Sequence, residues 1–264
     1  MRGALAILIA ILLALTGCGG DDGDGERTPQ QRLEDAVEEY ERAVADQDCA
    51  AFARFAHSSV RPSGKGPDDA PDAAECRNLG ASYTLLAGFK SRRLKVFGTA
   101  AIVEGDVEGR FMALIWTLDV DGRWTHVQTV PAIDPQVRLS RPRPDNRFAA
   151  NAAAFVKAQR AGDCREVFRL LNSGSPFVAE GGGVAAFCKR YRESRDAPER
   201  LSAQLAQAPE AKPVDLGGTQ DLHFFRVDTG SGRRWTLIMS TLPPAVPAAG
   251  HAQDSVLDYY PNSR

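Results

Sequence analysis

VADQDCAAFARFAHSSV (residues 44–60) and QRAGDCREVFRLLNSGS (residues 159–175) share one pattern, and their relationship decides the fold. Alignment of the two stretches places Asp48-Cys49 on Asp163-Cys164, at an offset of 115 residues. Apolar residues coincide at the same offset, both within the stretches and in the segments before them, which indicates an internal repeat. The coinciding pairs are Leu33 with Phe148, Tyr40 with Phe155, Phe52 with Val167, and Phe55 with Leu170.

Two further matches follow in the same order along the chain, at offsets of 112 and 111 residues. The slow fall of the offset is what loop deletions in a second copy would produce. The matches are AAECRNL (73–79) with AAFCKRY (185–191), which places Cys76 on Cys188, and DGRWTHVQTVP (121–131) with GRRWTLIMSTLP (232–243), which places Trp124 on Trp235.

Three collinear matches predict two copies of one domain. We place the first copy over residues 32–138 and the second over residues 147–260. The segment between them, LSRPRPDN (139–146), has the proline-rich and polar composition of a linker.

The first 20 residues, MRGALAILIAILLALTGCGG, have the pattern of an export signal over residues 1–17. Arg2 precedes an uncharged run that is shorter than the roughly 20 apolar residues of a membrane span. The run closes on Leu15-Thr16-Gly17-Cys18, which resembles the lipobox of bacterial lipoproteins. The resemblance implies cleavage before Cys18 and transfer of a diacylglycerol to its thiol. The alternative is an ordinary secretory signal with a chance cysteine.

Residues 18–31 are predicted to form a flexible tether, because GGDDGDGERTPQQ (19–31) holds no apolar side chain larger than proline. One acyl chain binds a membrane only marginally, whereas the several chains of a lipoprotein cysteine would hold the protein in place. We therefore expect a lipid-anchored protein on the extracytoplasmic face of the cell membrane, with the membrane as a partner through Cys18. That compartment permits disulfides.

Five cysteines are present, and four remain if Cys18 carries lipid. Four cysteines allow three pairings. The duplication favours one pair within each copy, Cys49 with Cys76 and Cys164 with Cys188, at separations of 27 and 24 residues. A zinc site is an alternative, but the four histidines do not repeat with the cysteines. A catalytic thiol is another, although no base is aligned with one.

Each copy begins with a segment whose apolar residues have the spacing of a helix. In QQRLEDAVEEYERAVADQD (30–48), apolar residues at positions 33, 37, 40 and 44 fall on one helix face. Asp48 and Asp163 are predicted N-caps of a short second helix, because an aspartate there accepts a free backbone N–H. A third helical segment contains the second cysteine of each pair. These segments are 49–57 and 73–81 in the first copy, and 164–172 and 184–194 in the second.

After these helices, apolar residues recur at every second position, which predicts three strands in each copy. Asp121-Gly122 marks a hairpin between the last two strands of the first copy. Helices followed by an antiparallel meander define an α+β fold class. The strand segments are LKVFGTAAIVEG (94–105), RFMALIWTLDV (110–120) and RWTHVQTV (123–130), then LSAQLAQA (201–208), DLHFFRVDT (221–229) and RRWTLIMSTL (233–242).

This order of elements resembles the nuclear transport factor 2-like superfamily, in which a curved sheet wraps around an N-terminal helix to form a cone. The resemblance rests on the element order, on the aspartate between the first two helices and on the terminal strand with a tryptophan. It implies two tandem cone-like domains. A cystatin-like domain, with one helix fewer, is the alternative. The superfamily includes ketosteroid isomerases and polyketide cyclases, which work inside the cone.

Such enzymes need a carboxylate base and an acidic hydrogen-bond donor in an apolar pocket, and no such pair stands out in this chain. With a two-residue hairpin turn, Thr117 would face His126 and Asp119 would face Trp124. His126 is then predicted to be half-exposed on the less apolar sheet face. That face would hold Asp119, Trp124, His126 and Gln128, and the core face would hold Met112, Leu114, Trp116, Leu118 and Val127.

A pocket in the first copy would use Tyr40, Trp116, His126 and Gln128, although Tyr40 is matched by Phe155 and is predicted to pack in the core. We predict no catalytic residue, no metal ligand and no cofactor. The net charge of −2 carries no basic excess, which argues against nucleic acid as a partner. We expect a non-catalytic module that binds a small apolar ligand or a protein of the cell envelope. The alternative is a ketosteroid isomerase-like or polyketide cyclase-like enzyme that acts in the first cone.

Overall fold

The computed structural model describes residues 27–57, 69–131, 147–172, 175–179, 181–219, 221–230, 233–241 and 255–262. The predicted signal sequence, Cys18, most of the predicted tether and the predicted linker lie outside the described residues. The described part has an α+β fold with two four-stranded antiparallel sheets. We call residues 27–131 the first half and residues 147–262 the second half.

In the first half, three described helices precede four strands. They are α1 (Pro29–Ala45), α2 (Cys49–Ala53), α3 (Ala73–Leu86), β1 (Lys90–Phe97), β2 (Ala100–Val107), β3 (Arg110–Leu118) and β4 (Trp124–Pro131). Helix α1 begins inside the predicted tether, because Thr28 and Gln31 form a reciprocal capping box at its first turn. The four apolar positions predicted for its inner face are all buried.

In the second half, five described helices precede four strands. They are α4 (Phe148–Ala161), α5 (Cys164–Leu170), α6 (Pro176–Ala179), α7 (Gly183–Ser194), α8 (Leu201–Ala206), β5 (Pro213–Gly218), β6 (Leu222–Asp228), β7 (Arg234–Ser240) and β8 (Ser255–Asn262). The segment LSAQLAQA is therefore a helix, and its prediction as a strand was wrong. Leu201 and Leu205 are both buried, which fits the four-residue spacing of one helix face better than strand alternation.

The predicted N-caps are present in both halves. Asp48 Oδ1 accepts a hydrogen bond from the Ala51 backbone N–H at 3.0 Å. Asp163 Oδ1 accepts one from the Glu166 backbone N–H at 3.1 Å. Each aspartate thus satisfies an N–H that the first turn of the helix leaves without a partner.

The sulfur atoms of the predicted cysteine pairs lie at disulfide distance. Cys49 and Cys76 join α2 to α3 with an S–S distance of 1.93 Å. Cys164 and Cys188 join α5 to α7 with an S–S distance of 1.99 Å. Each pair ties a short helix to a longer helix later in the same half.

The prediction of three strands in each copy was wrong, since both described sheets have four. LKVFGTAAIVEG belongs to β1 and β2, which separate at Gly98, a residue with a φ of 60°. In the second half, β5 and β8 were missed. Their sequences contain Pro213 and Gly217 in one and Pro261 in the other, and these residues are typical of turns rather than of strands.

The two sheets share their irregularities. In the first, Trp116 pairs with His126 and Ile115 with Gln128, so β4 has one extra residue at a bulge. In the second, Met239 pairs with Val256 and Ile238 with Asp258, which gives β8 the same bulge. A residue after the second helix also bridges to the bulged strand in both halves. Ala56, three residues beyond the end of α2, pairs with His126, and Leu171, directly after α5, pairs with Val256.

These shared features make β8 the counterpart of β4, and β7 the counterpart of β3. The third sequence match was therefore wrong, because Trp124 begins β4 whereas Trp235 lies on β7. Similar residues on neighbouring strands produced it. The structural counterparts of His126 and Gln128 are Val256 and Asp258.

Each sheet packs one face against its own helices. In the first half, Trp116 lies at the centre of this core with residues of α1 and α2. In the second half, Phe225, Leu237 and Met239 face α4, α5 and α7. The remaining sheet faces pack against each other. That third core contains residues from strands of both sheets, Phe97, Ala100, Ile102, Ala113, Ile115, Val130, Leu222, Phe224, Ile238, Leu257 and Tyr260.

Candidate functional site

The structure brings together three of the four residues predicted to line a pocket. Tyr40 Oη lies 3.1 Å from His126 Nδ1. Thr129 Oγ1 lies 3.0 Å from His126 Nε2. The Trp116 ring meets the Tyr40 ring edge-on, with 5.2 Å between centroids. Tyr40, His126 and Thr129 are thus linked by side-chain contacts at hydrogen-bond distance inside the helix-facing core of the first half. We call these three residues, together with Trp116, the Tyr40 cluster.

The prediction that His126 lies on the face opposite Trp116 was wrong. The hairpin loop covers residues 119–123 instead of the predicted two-residue turn, so Trp124 pairs with Leu118 and His126 with Trp116, and the predicted pairs Thr117–His126 and Asp119–Trp124 do not form. A bulge at Val127 then changes the face of the side chains that follow it. Val127 and Gln128 turn toward the second sheet, whereas His126 and Trp124 share the face of Trp116. Gln128 therefore does not belong to the Tyr40 cluster.

The Tyr40 cluster is built for packing. Desolvation by burial lowers the pKa of His126 to about 4, so its imidazole is neutral near pH 7. Both ring nitrogens have partners, and Tyr40 is enclosed by the rings of Phe52, Phe55 and Trp116. A neutral histidine with two occupied nitrogens neither accepts nor releases a proton readily near neutral pH.

A different site opens in the second half, where α7 and the segment after it stand away from α4 and β8. We call it the tyrosine–arginine cleft, and its volume is about 390 Å³. Its floor contains Gln159, Tyr191 and Tyr259, with Phe177 and Phe187 at the sides, and its rim contains Arg190, Glu193, Ser194, Arg195, Arg200 and Ser202.

The floor is a buried polar group surrounded by aromatic rings. The Tyr191 hydroxyl donates to Gln159 Oε1 at 2.9 Å. Gln159 is only 1% exposed, and its amide nitrogen Nε2 makes no hydrogen bond of normal geometry within the described part of the chain. Phe177 stacks on Tyr259 with 4.9 Å between ring centroids. Gln159 nevertheless acts on the Tyr259 hydroxyl as a hydrogen-bond donor, so its side chain links the two tyrosines of the floor.

Burial keeps both tyrosines of the floor protonated. It raises the pKa of Tyr191, although the Ser202 side chain and the charge of Arg195 oppose the shift. Burial and the charge of Asp258 also raise the pKa of Tyr259, whereas a hydrogen bond from the Gln159 side chain and the charge of Arg200 moderate that shift. The arginine charges of the rim thus act electrostatically on the hydroxyls of the floor.

The rim holds three arginines and one glutamate, so its charge is positive. Arg195 is fixed by its neighbours, since its Nε donates to Asp196 Oδ1 at 3.1 Å. Its guanidinium also lies against the backbone of Gly162, where a Cβ atom would be 1.8 Å from a terminal nitrogen. Glycine at this position lets the guanidinium approach the end of α4 closely.

No role was predicted for these cleft residues from the sequence. The available signal was the density of arginine and tyrosine in CKRYRESRDAPER (188–200), which follows the second cysteine of its pair. The floor could not be assembled from that signal. Tyr259 lies on β8, a strand that was not predicted, and Gln159 lies on α4, far away in the sequence.

Comparisons of the chain with protein-family models, with curated proteins and with solved structures find no match. Among the described residues, no helix combines the length and apolar character of a membrane span. The same residues contain no group of three or more His, Cys, Asp or Glu side chains placed to hold a metal ion.

Proposed function

We propose that the protein is a non-catalytic binding module, anchored by lipid on the extracytoplasmic face of the cell membrane, and that it holds a small ligand in the tyrosine–arginine cleft. The observation that carries this proposal is the cleft itself, with its aromatic sides, its buried Gln159 amide and its charged rim. Its volume falls at the lower end of the range for small-molecule sites.

The composition of the cleft favours binding over catalysis. Glu193 is the one carboxylate among its lining residues in the described part of the chain. The floor tyrosines stay protonated because burial raises their pKa, and they therefore serve as hydrogen-bond donors rather than as bases. A general acid–base pair with pKa values near the working pH is not formed by these groups.

The membrane anchor rests on the sequence alone. Arg2, the short apolar run and Leu15-Thr16-Gly17-Cys18 support a lipoprotein signal. The two cysteine pairs at disulfide distance fit an oxidising compartment. The segment between Cys18 and Thr28 would let the folded part move above the membrane surface.

We also infer that both halves are variants of the nuclear transport factor 2-like fold. The helices, the capping aspartate and the four-stranded meander with a bulged last strand support this inference. The cystatin-like alternative has fewer helices than either half. The enzyme alternative for the first cone lacks the paired acid and base that it needs, since the neutral His126 and Tyr40 satisfy each other.

The anchor is tested by the intact mass of the mature protein, purified from its membrane, before and after reduction and alkylation. We expect a diacylglycerol-bearing Cys18 and four thiols that react only after reduction. A mature chain without lipid would overturn the anchor. Four thiols that react before reduction would overturn the disulfides and the compartment inferred from them.

The binding role is tested on the full mature chain in lipid nanodiscs, by equilibrium dialysis against 2-naphthoate, 2-naphthamide and 2-naphthylmethylamine. We expect saturable binding of at least one of them at one site per chain. Ser194→Trp should block it, because Ser194 lies on the rim of the cleft. The matched control is Arg165→Trp, at an exposed position outside the cleft. Binding that survives Ser194→Trp, or no binding at all, would overturn the proposal.

A further inference from the structure

We infer that the ligand of the tyrosine–arginine cleft is a small amphipathic anion, an aromatic or apolar body with a carboxylate-type oxyanion head. This inference rests on the proposed binding function and gives it a chemical class. It also changes the expectation from sequence, which was an apolar ligand without a charged head.

The charges of the cleft select for an anion. Arg190, Arg195 and Arg200 line the rim with Glu193 as the opposing charge. The charge of Arg195 acts on the Tyr191 hydroxyl against those of Asp163 and Asp196, and the charge of Arg200 acts on the Tyr259 hydroxyl against that of Asp258. The three acidic residues do not line the cleft, so the groups that a ligand would meet there are mainly the arginines. Because the site is partly shielded from water, an oxyanion would interact with their charges more strongly than it would at an open surface.

The donors of the cleft also suit an oxyanion. Gln159 Nε2 is a buried N–H donor among the lining residues, and its hydrogen bond to the Tyr259 hydroxyl departs from normal geometry. Guanidinium groups present several N–H donors in a planar fork that matches a carboxylate. An oxyanion head can accept hydrogen bonds from the arginines and from Gln159 at the same time.

The aromatic sides of the cleft can pack against the apolar body of the ligand. Phe177 and Tyr259 form one stacked pair. Phe187 and Tyr191 form a second, with 5.8 Å between ring centroids. A bare oxyanion would leave these aromatic surfaces unused, whereas a flat ring system would cover them. The cavity volume of about 390 Å³ suits a body of one or two rings.

The test compares 2-naphthoate with 2-naphthamide, which have the same ring system and differ in charge. On the full chain in nanodiscs, we expect the acid to bind about tenfold more tightly or better, the value of one charge-assisted hydrogen bond. Arg195→Gln and Arg200→Gln should each remove most of this preference, measured as the ratio of the dissociation constants of the amide and the acid in the same variant. Arg165→Gln, an exposed substitution outside the cleft, is the matched control and should change neither.

Two further measurements separate the parts of the inference. Raising the salt concentration should weaken binding of the acid more than that of the amide, because salt screens the charges of the rim. Inorganic phosphate should compete poorly, because it lacks a body that stacks. Strong competition by phosphate would show a simple oxyanion site and would overturn the amphipathic class.

The outcomes distinguish this inference from the proposed function. If the acid and the amide bind equally, and Ser194→Trp blocks both, the cleft binds ligands but the anion preference is wrong. If naphthylmethylamine binds best, the charge assignment is wrong and the binding function stands. If none of the three binds, or Ser194→Trp has no effect, both the function and its ligand class are overturned.

Discussion

The imidazole of His57, in the first half of the chain, lies 3.1 Å from the carbonyl oxygen of Pro261, in the last strand of the second half. Both His57 and the neighbouring Asp119 are fully buried, with 3.8 Å between His57 Nε2 and Asp119 Oδ1. Thr99 and Thr236 add a second link between the sheets, at 2.9 Å between their hydroxyl oxygens. The contact between the halves thus combines an apolar layer with satisfied buried polar groups.

This contact predicts that the two halves unfold as one cooperative unit. Ile238→Ala, in the layer between the sheets, should lower the free energy of unfolding by about 2–5 kcal/mol, since it leaves a cavity at a fully buried position. Chemical denaturation followed by tryptophan fluorescence and by circular dichroism should give coincident single transitions.

Val214→Ala is the control for this prediction, because Val214 is exposed and its truncation should cost less than about 0.5 kcal/mol. Two separate transitions in the unmodified protein would contradict a cooperative unit. A loss in Ile238→Ala no larger than that in Val214→Ala would show that the layer between the sheets contributes little.

Asp258 predicts a pH dependence of stability. Desolvation raises the pKa of its carboxyl from 3.8 to about 7, although Tyr260 donates a hydrogen bond to it. The folded state therefore keeps a proton that the unfolded state releases, and the contribution of Asp258 to stability should fall as the pH rises from about 4 to about 7. The full effect is on the order of 4 kcal/mol.

Asp258→Asn tests this, because an amide cannot ionise and resembles the protonated carboxyl in shape. Between pH 4 and 7 this variant should lose the downward slope, and at pH 8 it should be more stable than the unmodified protein. Urea denaturation at several pH values measures both. A downward slope that persists unchanged in Asp258→Asn would assign the effect to another group.

The buried His126 should give a dependence of stability on pH that is opposite in sign to that of Asp258. Burial lowers the pKa of His126 from 6.5 to about 4. Between these two pH values the imidazole binds a proton in the unfolded state but not in the folded state. This contribution to stability is complete above pH 6.5 and is lost as the pH falls toward 4, by up to roughly 3 kcal/mol. In the unmodified protein it opposes the slope from Asp258 over most of this range.

His126→Asn therefore has a specific signature. Asparagine keeps a polar partner near Tyr40 but does not titrate, so the downward slope from Asp258 should appear in full between pH 4 and 7. Asp258→Asn should instead expose the upward slope from His126. Tyr40→Phe is the matched control, since it removes the hydrogen bond to His126 without removing the imidazole. Identical pH profiles for all three variants would contradict both assignments.

Local sequence signals predicted the parts of the fold that depend on neighbours along the chain. The buried face of α1 follows from helical spacing, and the caps Asp48 and Asp163 follow from the chemistry of a helix start. The cysteine pairing followed from the repeat, because each copy supplies one partner for each cysteine. In each of these cases the decisive residues are close in sequence or repeat at a fixed offset.

Features that depend on distant contacts were not predictable in this way. One extra residue at Val127 reverses which side chains of β4 face the helices, and no local pattern marks that bulge. Strand β8 is recognised only by its pairing with β7, and Tyr259 on it supplies part of the cleft floor. The residues of the candidate site thus meet through strand pairing and helix packing rather than through a sequence motif.

The two disulfides should differ in their effect on ligand binding. Each closes a loop, of 27 or 24 residues, and its loss should cost roughly 3–4 kcal/mol by the entropy of the unfolded chain. Only the Cys164–Cys188 bond holds α7, which carries Tyr191 and part of the arginine rim. Replacing both of its cysteines by serine should therefore lower the affinity for 2-naphthoate as well as the stability, because the rim becomes less fixed.

The matched control is the double serine variant of Cys49 and Cys76, which should lose similar stability and keep its affinity. Both variants are compared at a temperature where circular dichroism shows that they remain folded, with dialysis for affinity and urea for stability. Equal loss of affinity in both would mean that the halves are coupled through the layer between their sheets. Unchanged affinity in both would mean that the packing of Phe187 and Tyr191 in the core holds α7 without the covalent bond.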